Sequence, residues 1–189
     1  MPDTSDIRNG LAIILNGDIW SVIEFLHVKP GKGGAFVRTK LKNVRTGRVL
    51  DNTFRAGEKI ETARVERHPF QFLYEDDLGL HFMNTESYEQ TTLPRDMVQG
   101  REYVKEGGVI DVLIHAETEQ PLATEISKSV ELEVVETEPG VRGDTATGAT
   151  KPATLESGAI VNVPLFINEG DVIRVNTDTG DYVTRVNSK

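Results

Sequence analysis

Between two strongly patterned apolar runs lies Lys29-Pro30-Gly31-Lys32-Gly33-Gly34-Ala35, a lysine set among three glycines and a proline. Gly31, Gly33 and Gly34 carry no side chains, so the four-carbon stem and ammonium of Lys32 can project into a narrow space, while Pro30 stiffens the chain ahead of it. The segment reads as a probe, although by spacing alone an ordinary flexible hairpin with a solvated lysine accounts for it better, and local physics does not decide between them. A phosphate-binding loop is rejected, because the downstream Lys-Ser/Thr pair and the following helix are missing. In the next residues a period of two puts Phe36, Arg38, Lys40 and Lys42 on one face of a strand and Val37, Thr39 and Leu41 on the other. Three cations along one strand repel unless an anion lies against them. That anion is either an RNA backbone, which makes Lys29, Arg38, Lys40 and Lys42 candidate contacts, or a carboxylate on an adjacent strand such as Asp51.

Constellations for catalysis are thin. His27, His68, His81 and His115 are scattered without metal-ligand spacing, and the chain has no cysteine, which removes disulfides, thiolate zinc sites and a cysteine nucleophile. Asp76 and Asp77 are adjacent, so on a strand they would face opposite ways, and they read as turn formers. No serine has a nucleophile's setting. The expectation is a protein that is not an enzyme, with no catalytic residue, no metal and no cofactor. Pro139-Gly140-Val141-Arg142-Gly143-Asp144-Thr145 offers Arg142 to phosphate and Asp144 and Thr145 to base or sugar edges, although by residue type alone plain turn chemistry accounts for it better.

The elements that must position these residues are short and alternating, punctuated by Gly, Asn, Asp and Pro, which predicts an all-β chain. Leu11–Leu15 runs into Asn16-Gly17, a tight-hairpin dipeptide, and returns as Asp18–Val28. Further strands are expected at Phe36–Val44 and Val49–Arg55. A second set starts with Phe70, Phe72 and Tyr74 and continues through Leu80–Met83, Tyr88–Leu93 and Val109–Ala116. A third begins near Val130, Leu132 and Val134 and includes Ala159–Val163, Asp171–Asn176 and Tyr182–Val186. Three small β-barrels in series follow, at residues 1–63, 64–127 and 128–189. Each is close to the smallest size that sustains its own core.

Net charge is −9, but it is unevenly spread. Residues 1–62 hold 10 Lys+Arg against 7 Asp+Glu, and residues 63–189 hold 11 against 23, giving net charges of +3 and −12. Such asymmetry turns the first segment toward a polyanion, unless it is a chance difference between domains. The acidic, polar start lacks a secretory pattern and no apolar run has membrane-spanning length, so a cytoplasmic protein with no membrane partner is expected.

Two motifs make the chain resemble the bacterial elongation factor P family, and the likeness runs from Ile7 to Val186. One is the Lys-Pro-Gly-Lys-Gly tip around Lys32. The other is Lys151-Pro152-Ala153, Gly158, Val161, Val163-Pro164, Ile167 and Gly170 in the third barrel. The resemblance implies an SH3-like (KOW-like) first barrel and two OB-fold barrels in an L-shaped, tRNA-like arrangement. It implies a monomer that binds the 70S ribosome between the peptidyl and exit sites and relieves polyproline stalling by positioning the peptidyl-tRNA. Lys32 matches the family's modified residue, so a lysine-modifying enzyme and an added group, by β-lysylation or a similar reaction, are implied; the arginine route of some relatives is excluded. Arg142, Gly143, Asp144 and Thr145 match a loop that contacts mRNA in the exit site, and Tyr182 and Arg185 match positions near the small subunit and bound RNA. A paralogous factor of the same shape and a general single-stranded RNA-binding OB-fold protein are the alternatives. The hypusine-bearing factor of eukaryotes and archaea lacks this third barrel.

Overall fold

The computed structural model describes residues 2–140 and 148–186. Among the described residues, fifteen strands form three curled, five-stranded antiparallel sheets. The first contains β1 (Ala12–Leu15), β2 (Asp18–Val28), β3 (Phe36–Asn43), β4 (Val49–Arg55) and β5 (Glu61–Thr62), in the order β4-β3-β2-β1-β5. The second contains β6 (Val65–Asp76), β7 (Gly79–Asn84), β8 (Gln90–Leu93), β9 (Val109–His115) and β10 (Gln120–Glu125), in the order β10-β9-β6-β7-β8. The third contains β11 (Ser129–Thr137), β12 (Thr150–Leu155), β13 (Ile160–Pro164), β14 (Val172–Asn176) and β15 (Tyr182–Val186), in the order β13-β12-β11-β14-β15. In the second and third sheets the first strand is central and its successors flank it in the same order, so the two share one topology. The all-β expectation holds. By packing density the chain groups into two compact units, residues 1–68 with 112–123 and residues 69–111 with 124–189.

In the first sheet, Asn16 (φ 54°) and Gly17 (φ 82°) are both left-handed, the geometry an Asn-Gly hairpin demands, and Leu15 pairs with Asp18 across them. The inward residues Ile13, Trp20, Val22, Val37, Leu41 and Phe54 form the core with Ile7 and Ile60. Trp20 satisfies its indole N–H on the Leu15 carbonyl at 3.3 Å. The third sheet closes on Leu132, Val134, Ala153, Leu155, Val161, Val163, Ile167, Ile173 and Val175, all at most 2% exposed.

One turn design recurs four times. Asn43, Asn84, His115 and Asn176 each accept, on the backbone carbonyl, the N–H of the residue four positions on, at 2.8–2.9 Å. The three asparagines also accept two backbone N–H groups of their turns on Oδ1. The fifth residue is left-handed each time: Gly47, Tyr88, Glu119 and Gly180. This explains one departure from the sequence expectation. A strand is predicted from Tyr88, but Tyr88 (φ 61°) completes the turn and β8 starts at Gln90.

Two further departures have physical causes. β6 begins at Val65, five residues before Phe70, as the pattern there is weakly apolar. No strand was expected at β12, which contains Pro152. The ladder with β11 extends only to Ala153, so Pro152 needs no N–H on that side, and its carbonyl accepts the Thr137 hydroxyl at 2.9 Å.

Two expected outcomes follow from these turns. Tyr88→Gly should stabilise the protein by about 0.5–1 kcal/mol in denaturant unfolding, because strain relief outweighs the added chain entropy and the ring, 71% exposed, loses little packing. Asp76 sits 2.9 Å from His81 Nε2, and hydrogen bonding to that side chain holds its carboxyl below the usual carboxylate value. Its contribution is complete above the unfolded-state value and is lost as pH falls through the lower native one. The stability curve of Asp76→Asn measured between neutral and acid pH should therefore be flatter than wild type on its acid limb.

Candidate functional site

β2 and β3 pair from Trp20 with Asn43 to Val28 with Phe36, and the segment 29–35 joins their ends. The Lys32 tip is thus held by a ladder eight registered pairs long. Lys29, Pro30, Gly31, Lys32, Gly33 and Gly34 are all exposed. A Cβ added at Gly31 or Gly34 would meet nothing within 4 Å, so these glycines keep the surface beside Lys32 bare. Gly33 differs: its φ of 111° is one that side chains rarely adopt, so here glycine is a backbone requirement.

The flank of the tip is set by a bulge. Register slips between Val22 and Glu24, leaving Ile23 as the extra residue. Without it Glu24 would share the inward face of Val22; with it Glu24 is opposite Lys40, and Leu26 opposite Arg38. Val37, Thr39 and Leu41 are buried, and Arg38 and Lys42 are exposed, as the two-residue period predicts. The ammonium of Lys40 lies 3.2 Å from Glu24 Oε2, and Asp51 is its register partner on β4. A carboxylate of β2 therefore answers the like-charge repulsion at Lys40, and Asp51 of β4 stands opposite it in register. Arg38 lies over the Phe36 ring, 5.5 Å from its centroid, and is flanked by Leu26 and Thr53. The surface is mixed at its centre and cationic at Arg38 and Lys42. Glu24, Leu26, Arg38, Lys40, Asp51 and Thr53 line a shallow groove of about 430 Å³ on this sheet.

In the third sheet Tyr182 packs against the core cluster, while Arg185 is exposed. The Arg185 guanidinium is 5.7 Å from the Phe166 ring centroid and its Nη1 is 3.7 Å from Asp171 Oδ2. Arg142, Gly143, Asp144 and Thr145 lie outside the described residues. Across them in sequence, the buried Lys151 donates to the Glu138 carbonyl at 2.6 Å. Gly140 packs so tightly on Leu165 that a Cβ would come 2.7 Å from its carbonyl oxygen.

Sequence reasoning missed Glu24 and Phe166. Nothing in the order of residues announces the bulge that turns Glu24 outward. Phe166 sits in the apolar run Val163-Pro164-Leu165-Phe166-Ile167, where alternation does not show which side chain leaves the core. Among the described residues no three His, Cys, Asp or Glu side chains gather as a metal site requires, and no helix is long and apolar enough to cross a membrane.

Family models match nearly end to end. The model described as the elongation factor P (EF-P) KOW-like domain matches residues 3–60, the elongation factor P (EF-P) OB domain residues 65–123, and elongation factor P, C-terminal, residues 130–185. Elongation factor P of Salinibacter ruber is 61% identical over 188 residues, which cover 100% of this chain and 98% of that protein. Elongation factor P of Christiangramia forsetii is 60% identical over 186 residues, 98% of this chain and 99% of the relative. That of Moorella thermoacetica is 53% identical over 186 residues, 98% of this chain and 100% of the relative. A solved structure, eukaryotic translation initiation factor 5A from Methanococcus jannaschii, superposes with a TM-score of 0.51 at 20% identity, covering 67% of this chain and 90% of its own. At that identity the likeness speaks for the fold alone.

The contrast between the tip glycines gives an expected outcome. Gly33→Ala should lower stability by about 1 kcal/mol in denaturant unfolding, from the left-handed backbone. Gly31→Ala, with open space around it, should stay within about 0.5 kcal/mol of wild type.

Proposed function

The chain belongs to the elongation factor P family, and from that premise we propose that it is a cytoplasmic translation elongation factor that binds the 70S ribosome between the peptidyl and exit sites and restores peptide-bond formation at consecutive prolines. The observation that carries this reading is the bare tip: an exposed lysine at the end of a long ladder, with open space at Gly31 and Gly34 of its loop.

In this reading Lys32 is lengthened by a lysine-modifying enzyme, by β-lysylation or a similar reaction, and the arm runs along the acceptor end of the peptidyl-tRNA. A flexible stem ending in a compact cation suits a row of phosphates that must be touched at several points. Proline is a poor nucleophile in a restrictive ring, and a misplaced peptidyl end wastes most encounters. Positioning the reactants lowers the barrier by several kcal/mol, with ~7–11 kcal/mol the upper range for ideal alignment. Lys32 then supplies order, not protons, and the factor needs no catalytic side chain or cofactor of its own.

Lys29, Arg38 and Lys42 hold the first sheet against the tRNA. Lys40 joins them with Glu24 beside it, so its share of the attraction is small: an exposed pair of this kind is worth about 0–1 kcal/mol and exchanges partners cheaply. Arg142, Gly143, Asp144, Thr145, Tyr182 and Arg185 serve mRNA in the exit site and the small subunit. The factor acts as a monomer.

Lys32→Ala tests the reading. In a reconstituted translation reaction it should abolish relief of a polyproline stall while thermal unfolding and ribosome affinity stay close to wild type. The tip peptide of native protein should carry a defined mass increment. Unchanged stall relief by the variant would remove Lys32 from the mechanism.

A further inference from the structure

The third sheet exposes one large aromatic that none of the roles above uses. Phe166 is 58% exposed although its neighbour Ile167 is fully buried. Its backbone is fixed. Asn168 Nδ2 donates to the Phe166 carbonyl at 3.2 Å, Asn168 N–H donates to Asp171 Oδ2 at 2.8 Å, and Ile167 N–H donates to the Pro164 carbonyl at 3.1 Å. Leu165, one residue earlier, is seated on Gly140 with no room for a Cβ between them. The ring is therefore held outward by a rigid segment and cannot retreat into the core cheaply.

The geometry points to Phe166, with Arg185 over its ring, as a stacking site for an unpaired RNA base, an inference that rests on the ribosomal reading above. An exposed aromatic face beside a guanidinium is the pairing that single-stranded RNA requires: the ring takes a base by stacking, and the cation takes its edge or its phosphate. Arg185 retains donors for this. Its 3.7 Å approach to Asp171 is longer than a charge-assisted hydrogen bond, so the carboxylate orients the guanidinium without saturating it. Tyr182 of β15 spends its ring on the core cluster, which leaves the Phe166 face that Arg185 does not cover as the open one. A protein pocket is the poorer occupant, since seating Phe166 in it would also desolvate the guanidinium lying over the ring.

The test uses the full chain on 70S ribosomes with tRNA in the peptidyl site. Phe166→Leu keeps the apolar bulk and removes the stacking plane, and should weaken ribosome binding by roughly ten-fold. Phe166→Trp should restore it. A photoreactive p-benzoylphenylalanine at position 166 should cross-link to RNA, and primer extension then tells whether the base belongs to mRNA, tRNA or ribosomal RNA, any of which supports the inference. A cross-link to protein, equal affinity of Phe166→Leu and wild type, or a loss that tryptophan does not repair would overturn it. Wild type is titrated first: if it fails to bind ribosomes, the proposed function falls and this inference with it. If it binds and Lys32→Ala loses stall relief as expected, a negative result at position 166 overturns the stacking site alone.

Discussion

The antiparallel ladder between β2 and β3 is the constraint on which the site depends. It carries the Lys32 loop at one end, anchors Trp20 and Val22 in the first core at the other, and contains the bulge at Ile23 that sets which side chains surround the cations. A lysine on a floppy loop would lose most of its positioning power to conformational entropy, since each ordered residue costs on the order of 1–2 kcal/mol. Here the cost is met in folding. The backbone that bears the loop is already fixed on both sides by registered hydrogen bonds, and only the loop and the side chain keep freedom.

Charge is arranged by the same ladder. The first sheet holds the chain's basic excess, yet its cations are not a uniform strip. Glu24 and Asp51 flank Lys40, whereas Arg38 is bordered by apolar and hydroxyl neighbours and Lys42 by Ser21 and Val49. The interleaving keeps the folded sheet from paying for like-charge repulsion in the absence of a partner. It also leaves cations at the two ends of the stripe, so attraction to a polyanion is spread out and not focused on one point. The acidic remainder of the chain disfavours indiscriminate binding to nucleic acid, so attraction to a polyanion is confined to the few places where a cation is exposed.

The second and third sheets show how one plan is reused. They share a strand order, and the β7–β8, β9–β10 and β14–β15 hairpins share, with β3–β4 of the first sheet, a five-residue turn whose last position is left-handed. Where glycine fills that position the turn is relaxed. Tyr88 and Glu119 tolerate it because the Asn84 and His115 carbonyls still receive their hydrogen bonds. Segments between these turns can then be specialised. The stretch Pro164 to Asn168 is one, pinned by its own hydrogen bonds while Phe166 and Ile167 point in opposite directions, one outward and one into the core.

Much of this was written in the order of residues. Alternation in Phe36–Asn43 separated Val37, Thr39 and Leu41 from Arg38, Lys40 and Lys42, because a strand's faces follow a period of two whatever it packs against. The Asn-Gly hairpin, the all-β class, the family and the bare lysine tip were equally legible, since each is a local property of a few neighbouring residues. What the sequence left open was anything set by a second strand. Only the fold placed Glu24 beside Lys40, because a bulge reverses the alternation of one strand against its partner. Only the fold admitted Pro152 to a strand, by ending the neighbouring ladder there, and only the fold decided that Phe166 faces water while Ile167 fills the core. Local patterning fixes which residues alternate; the register between strands, which no single stretch of chain encodes, fixes what each of them meets.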